Sequence, residues 1–445
     1  MSDQAPVVLR GEGRRPDGTA SPVVVTLTAD GLTIGADSAA PVAAAFRDLS
    51  SIVVDAGAVR IALGTGPLAE RWAFERFGQM TGLLAKSLRD GRLRQRLADG
   101  LVEVPASASI DLVEYEAPGD SGVAQLLYHD RGVVLAPVDE RHAVRRIRRA
   151  DIGAVALDTS VGGISVTGTG RSLPAAPGGA PSLRLLRMGA ISKAHADRWT
   201  ALRDGAHADA AAITGGFLPD AGFGERRLAA SLLLEGHAIS PAALGPAWPL
   251  LETAVLDTPP FDASYRALRA AAGGENAPRW LATAPERPGA TDAAKTWFLV
   301  GLPGNLVAME LVSEGSHATY LFRVAPRASF SGALLPGSYE AAVAEISEAL
   351  IDARFLREPM ALPTASLAKP EALRYRLALA ALPTLAAARA RFVARLVHND
   401  QATWERALRD LVAWHGTCRD ETAEWPGRAA QERSITEAAA GGDAS

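Results

Sequence analysis

Cysteine is nearly absent: Cys418 is the single one in 445 residues. That excludes an intramolecular disulfide framework and fits a reducing compartment. Lysine is scarce too, confined to Lys86, Lys193, Lys295 and Lys369, so almost every basic residue is Arg. With Ala so common, this skew reads as codon bias of a GC-rich genome, and an Arg here is weak evidence for a designed phosphate or carboxylate fork. No excess of one charge exists: 46 Lys+Arg face 50 Asp+Glu, a formal net charge of −4. That removes any whole-chain argument for nucleic acid or an anionic membrane. Long apolar runs are missing as well. Leu377 to Ala388 contains Pro383 and Thr384, far short of the ~20 residues that a membrane span needs. Met1 to Pro6 shows no basic stretch leading into an apolar core, so no signal peptide is expected. The expectation is a cytoplasmic protein without a transmembrane segment. At 48% hydrophobic its composition is that of an ordinary globular chain.

What is present first is an internal repeat. Asp30-Gly31-Leu32-Thr33-Ile34 matches Arg131-Gly132-Val133-Val134-Leu135, each following a longer strand-like run, Val23 to Leu27 and Val123 to Tyr128. Asp48-Leu49-Ser50-Ser51-Ile52-Val53-Val54-Asp55 then matches Asp151-Ile152-Gly153-Ala154-Val155-Ala156-Leu157-Asp158. Period-two hairpins return through Val59, Ile61 and Leu63 in one copy and Ile164 and Val166 in the other. They end in Gly64-Thr65-Gly66 and Gly168-Thr169-Gly170, with a one-residue shift of the kind a bulge makes. Trp72 and Phe74 stand opposite Leu183 and Leu185, and each copy closes with a helical segment containing Leu-Arg-Asp-Gly, Leu88 to Gly91 and Leu202 to Gly205.

Short antiparallel strands followed by one closing helix, in roughly 100 residues, suit a small β unit whose open end an amphipathic helix covers. This element order resembles the pleckstrin-homology-like barrel in its bacterial variants, over residues ~7–97 and ~108–214. The fold class expected is α+β. Two tandem barrels of that kind would occupy residues 1–100 and 105–215, each closed by a C-terminal helix, with a small β-meander and a helical C-terminal region following. The resemblance implies a mostly non-catalytic role: binding phosphoinositides, peptides or other proteins, often as a scaffold.

In lipid-binding relatives, basic residues in the first hairpin loop and the next strand hold the phosphates. Arg10, Arg14 and Arg15 are the candidates here for anion or lipid binding, but Val23 to Thr28 contains no basic residue. The second copy carries Glu116-Ala117-Pro118-Gly119-Asp120 in the equivalent loop, which repels phosphate. Two other basic runs stand out. Arg145, Arg146, Arg148 and Arg149 crowd one short segment and are the candidate partner-binding residues, with a solvated, aggregation-deterring edge strand as the plainer alternative. Lys86 to Arg96 interleaves with Leu84, Leu88 and Leu93 and reads as an amphipathic helix with a basic outer face. No aromatic platform interleaves with either run, so nucleic acid is not an expected partner.

Residues 216–290 read as a loop-rich connector with short helices at Glu225–Glu235, Trp248–Val255 and Ser264–Ala272. Residues 291–330 read as a three-strand meander, and as a candidate degenerate third copy: Thr296 to Val300, Asn305 to Leu311, Ala318 to Val324. Residues 336–418 read as helical, including Glu371–Val397 with a break at Pro383, then a last helix carrying Trp404, Leu408, Leu411 and Trp414. Residues 419–445 read as a disordered tail.

Catalytic signatures are thin. His415 and Cys418 stand three residues apart with no second pair to complete a zinc site. Gly301-Leu302-Pro303-Gly304-Asn305 lacks the Lys-Ser/Thr of a phosphate loop. The Gly-Thr-Gly pairs lack a dinucleotide setting. His129, His142, His195, His207, His237, His317 and His398 show no ligand spacing, and no Gly-x-Ser-x-Gly elbow occurs. No cofactor is expected. The leading expectation is a non-catalytic protein-interaction or scaffold protein whose partner is another protein or subunit. Binding of an anionic lipid or phosphate ligand through the first barrel is the alternative, and an enzyme site between the barrels and the C-terminal half is the third.

Overall fold

A computed structural model describes residues 6–36, 39–55, 57–102, 104, 108–139, 142, 144–168, 172–175, 179–257, 261–286, 289, 294–312, 318–325, 338–398, 400–417 and 425. The chain divides into two compact units, Met1–Asp111 and Leu112–Ser445.

In the first unit, seven strands precede one helix: β1 (Val7–Arg14), β2 (Ala20–Leu27), β3 (Gly31–Ala36), β4 (Ala39–Ala45), β5 (Leu49–Asp55), β6 (Ala58–Leu63), β7 (Glu70–Glu75) and α1 (Met80–Asp99). The strands form one antiparallel sheet in the order β4-β3-β2-β1-β7-β6-β5. Alternation turns Val23, Val25, Val59, Ile61, Trp72 and Phe74 into one core, which α1 completes with Leu84, Ala85 and Leu88. The i, i+4 spacing of Leu84 and Leu88 puts both on one helical face. Full burial of each such leucine stabilises by about 1.5–3 kcal/mol. β4 and β5 are the two ends of the sheet and are joined only by a single 3-10 turn, Phe46–Asp48. No closed barrel exists among the described residues; the expected barrels are open sheets.

The same plan recurs in the second unit, whose first strand starts two residues before the division: β8 (Ile110–Ala117), β9 (Asp120–His129), β10 (Gly132–Pro137), β11 (Arg145–Arg148), β12 (Ile152–Asp158), β13 (Gly163–Gly168), β14 (Ser182–Leu186) and α2 (Ser192–Phe217). Its order, β11-β10-β9-β8-β14-β13-β12, is the first sheet's order strand for strand. The correspondence reaches single residues. The pairing Ile52–Ile61–Trp72 recurs as Val155–Val166–Leu183, and both Trp72 and Leu183 are buried in the cores beneath. The fifth strand is bulged after its first residue in both copies, at Ser50 and at Gly153. An arginine of the closing helix caps the carbonyl exposed there: Arg92 donates to Ser50 (3.1 Å) and Arg203 to Gly153 (3.4 Å). After the seventh strand, Arg76 and Arg187 both adopt a left-handed backbone (φ 55° and 53°). Each donates to a glutamate of the first strand, Arg76 to Glu12 (2.7 Å) and Arg187 to Glu114 (3.3 Å).

The remainder departs from the sequence reading. The expected connector contains four helices, α3 (Phe223–Leu232), α4 (Pro241–Leu244), α5 (Trp248–Leu256) and α6 (Phe261–Ala271), and then a strand, β15 (Arg279–Pro285). Its apolar residues Leu244, Trp248, Leu251, Val255, Phe261, Tyr265 and Leu268 are core, not linker. The meander β16 (Ala294–Leu302), β17 (Leu306–Leu311) and β18 (Ala318–Arg323) is therefore widened by β15 on one side. Four helices follow: α7 (Tyr339–Asp352), α8 (Glu358–Ala361), α9 (Thr364–Leu367) and α10 (Leu373–Ala381). Pro383 ends α10 and opens α11 (Pro383–Arg391), as its missing N–H requires. Residues 392–397, expected as helix, are instead β19 (Phe392–Val397), the fifth strand of the sheet, beside β18. α12 (Gln401–Thr417) closes the core with Trp404, Leu408 and Leu411. Of the expected disordered tail, Trp425 alone is described, and it is buried in that same core. No helix among the described residues is long and apolar enough to cross a membrane.

Candidate functional site

The arginine run of the second copy was expected at an exposed edge, and its surroundings correct that expectation. β11 is an end strand, but its side chains are engaged within the unit. Arg145 donates to Asp120 (2.9 Å), which also accepts from Tyr115 (2.7 Å) and lies against His142. Burial alone would raise the Asp120 pKa, but Arg145, Tyr115 and His142 outweigh it and hold the carboxyl below its ordinary range. Arg146 lies 3.8 Å from Asp352 on α7. Arg148, its side chain 11% exposed, bridges Asp151 (2.8 Å) and Glu348 on α7 (2.9 Å). Its burial disfavours the charge, and the surrounding carboxylates more than reverse that, so the guanidinium is held more firmly protonated than usual.

Arg149 lies deepest, with its side chain 4% exposed. Its Nε donates to Glu235 (2.7 Å) and one Nη to Asp209 of α2 (2.5 Å). Glu235 also receives Arg131 (2.6 Å). Asp151, fully buried, accepts from Arg148, from the Ser172 N–H (3.3 Å) and from His237 Nε2 (2.9 Å). Burial opposes its ionisation, yet His237, Arg148 and Ser172 hold its pKa far below the ordinary range. Alternating buried charges of both signs, each paired and hydrogen-bonded, lock the second sheet to α2, α7 and the 235–237 segment.

Ser172, Asp151 and His237 have the residue types of a nucleophile triad, but the serine–histidine link is not what Ser172 makes. Its Oγ accepts from the Arg148 N–H (3.1 Å), and both Ser172 and His237 converge on the carboxylate. Ser172 thus meets the carboxylate and not the imidazole, so the serine–histidine pair of a triad is not formed. Among the described residues no group of three or more His, Cys, Asp and Glu side chains is arranged to hold a metal ion.

The first-copy candidates lie apart from this cluster. Arg14 ends β1 and is exposed, and Arg15 follows it half-buried in the β1–β2 turn; Arg10, expected in that loop, is instead an exposed residue in the middle of β1, paired with Val24. Arg14 lies 3.9 Å from Glu75 and donates to the Gly18 carbonyl (3.4 Å). Asp17 in that turn accepts from the Thr19 N–H (2.8 Å), which holds its carboxyl below the ordinary range. A permanently charged carboxylate inside the loop opposes a phosphate at Arg14 and Arg15.

One buried polar cluster escaped the sequence reading. Glu310 on β17 is fully buried and accepts from Ser264 (2.7 Å) and Thr319, with His398 Nε2 at 3.1 Å. Trp404 of α12 donates to Thr319 (3.0 Å). The only sequence signal was a carboxylate inside the apolar run Leu306–Leu311. Of Gly301 to Asn305, the first two residues end β16 and Pro303 to Asn305 form the hairpin turn, with Gly304 and Asn305 at φ 80° and 59°. His415 is held below the ordinary imidazole range by burial and then by Arg323. Cys418, Thr169, Gly170 and His317 lie outside the described residues.

At the outer edges the two copies differ. β4 carries Pro41, β11 is covered by Glu348 and Asp352 of α7, and β12 presents small residues, Ala154 and Ala156, with α2 packed along it. β5 is bulged and capped by Arg92 at Ser50, but beyond that point it offers Val53 and Val54, 50% and 43% exposed. No family model matches the chain, and no curated protein matches it.

Proposed function

We propose that this chain is a non-catalytic protein-interaction protein, a scaffold or adaptor built on two tandem pleckstrin-homology-like modules. Its capture surface is β5 of the first module, where an extended segment of a partner protein adds as a further antiparallel strand. The observation that carries this reading is the asymmetry between edges: of the four ends of the two seven-strand sheets, β5 alone exposes two neighbouring β-branched side chains, Val53 and Val54, and carries neither proline nor lysine. A bare edge of this kind is an aggregation hazard that proteins blunt unless it has an occupant. Main-chain pairing supplies the affinity, and contacts of Val53 and Val54, which point to opposite faces of the strand, supply the selectivity. The Arg145–Arg149 run serves the fold, so reversing it is expected to unfold the second unit rather than to release a partner.

The test is affinity capture from native lysate with the full chain and with Val53→Lys/Val54→Lys. Two exposed lysines on the edge leave the core side of β5 intact, so the far-ultraviolet spectrum and unfolding midpoint are expected to stay near wild type. Capture of the partner is expected to be lost, and adding purified partner to the wild type is expected to slow amide exchange in β5. Undiminished capture by the doubly substituted chain would remove β5 from consideration.

A further inference from the structure

The two copies act as an internal control for one position. In the first copy, the turn before β5 begins with Phe46, whose ring covers Gly91 of the Leu-Arg-Asp-Gly segment of α1; a Cβ on Gly91 would stand 2.3 Å from the ring. In the second copy the equivalent turn begins with Arg149, and the equivalent glycine is Gly205 of α2. There a Cβ would meet only Arg149 Nη1, at 3.7 Å. Replacing a ring by a guanidinium drawn back onto Glu235 and Asp209 leaves an open cleft where the first copy is filled. The cleft measures about 420 Å³ and is lined by Tyr128, Asp130, Arg149, Arg198, Ala201, Leu202 and Gly205.

We infer that this cleft is a binding site for a small oxyanion-bearing ligand, a carboxylate or a phosphate, held by Arg149 Nη1 and the Arg198 guanidinium. Arg149 spends Nε on Glu235 and Nη2 on Asp209, and no described residue hydrogen-bonds Nη1, although the side chain is 4% exposed. A guanidinium locked by two carboxylates and keeping donors unspent is a preorganised anion receptor. Arg198 lies over the Tyr128 ring at 5.3 Å, and the Tyr128 hydroxyl is tied to His195 (2.7 Å). Leu202 and Ala201 give the floor an apolar character suited to the carbon skeleton of an acid. Asp130 at the rim faces His129 at 3.5 Å; it disfavours multiply charged anions and selects for a single oxyanion head. The volume lies within the range of small-molecule sites.

Two probes separate the sources: benzoate and inorganic phosphate, each titrated calorimetrically into the full chain up to about 30 mM, a range that reaches millimolar dissociation constants. Saturable binding of benzoate assigns the cleft to carboxylates, and saturable binding of phosphate assigns it to phosphoryl groups. Two variants leave the Arg149–Asp209–Glu235 cluster in place. Arg198→Gln removes one cation, and Gly205→Met restores a filled cleft of the kind Phe46 makes. Each is expected to weaken the bound probe at least tenfold while the unfolding midpoint stays within a few degrees of wild type. Absence of saturable binding for both probes, or binding unchanged in both variants, overturns the inference. Neither result bears on the β5 surface, which lies in the other unit.

Discussion

The paired glycines of the two Leu-Arg-Asp-Gly segments give opposite predictions for one substitution. Both Gly91 and Gly205 lie well inside helices, α1 and α2. Glycine to alanine in a helix interior favours folding by about 0.5–1 kcal/mol through backbone entropy and intrinsic preference. At Gly205 nothing opposes that gain, because the nearest atom to the new Cβ is Arg149 Nη1 at 3.7 Å, an ordinary contact. At Gly91 the new Cβ would stand 2.3–2.6 Å from three ring atoms of Phe46. Phe46 is itself 2% exposed in the first core and has no free space to retreat into. Overpacking of a tight core costs about 1–3 kcal/mol. Gly91→Ala is therefore expected to destabilise the first unit by a net ~0–2.5 kcal/mol, and Gly205→Ala to stabilise the second by a net ~0.5–1 kcal/mol. Because the two units need not unfold together, a single global midpoint is a poor readout. Native-state hydrogen exchange on α1 and α2 amides reads each unit separately. Phe46→Leu is expected to rescue Gly91→Ala in part, and the cycle isolates the contact. If both alanines stabilise, or both destabilise, the assigned equivalence of Phe46 and Arg149 over these glycines is wrong.

Other outcomes follow from the same contacts. Arg149→Met leaves Asp209 buried with the Gly289 N–H (3.1 Å) as its one partner among the described residues, whereas Glu235 keeps Arg131. Removing one member of a buried pair costs about 3–5 kcal/mol; Asp209→Asn on that background is expected to recover part of it in urea unfolding, and a loss under ~1 kcal/mol for Arg149→Met would refute the pairing. Leu88→Ala, at a fully buried site on α1, is expected to lower first-unit stability by about 2–5 kcal/mol, read by exchange of α1 amides. Acid should weaken the second unit in two stages. His129 is held below the ordinary imidazole value by burial, so its contribution is full above about pH 6.5 and declines as pH falls below that. Asp120 and Asp151 are also depressed, so theirs is full above about pH 4 and is lost on further acidification. Asp151→Asn is expected to flatten the low-pH limb of the urea midpoint against pH; an unchanged slope there would assign the acid sensitivity elsewhere.

The repeat was legible because strands announce themselves locally. Period-two alternation and turn glycines mark Leu49–Leu63 and Ile152–Gly168 without reference to any neighbour, and the register between them follows from which face is apolar. The third sheet was legible only in its middle. Strands β16, β17 and β18 follow one another closely in sequence, whereas helices α7 to α11 separate β19 from β18, and β15 lies in the Gly- and Pro-punctuated segment that reads as a connector. Phe392–Val397 directly continues a helical run, and its apolar pattern serves either conformation until β18 offers an edge. The four helices of residues 223–271 looked like a connector because Gly and Pro punctuate them. Their burial depends on the sheet beneath.

The candidate arginines show the same division. Counting charge identified Arg145, Arg146, Arg148 and Arg149 as a positive segment, and local pattern placed them on an end strand. What they face comes from distant parts of the chain: Asp209, Glu235, Glu348 and Asp352 are between about 60 and 200 residues away along it. Composition and periodicity thus settle, on their own, that this chain carries two copies of one seven-strand, one-helix plan, since those patterns depend on each residue's immediate neighbours. Which of the copies keeps a bare edge and which turns its arginines inward depends on electrostatic pairing through space. Pairing of that kind leaves no trace in local order, so folding alone decides it.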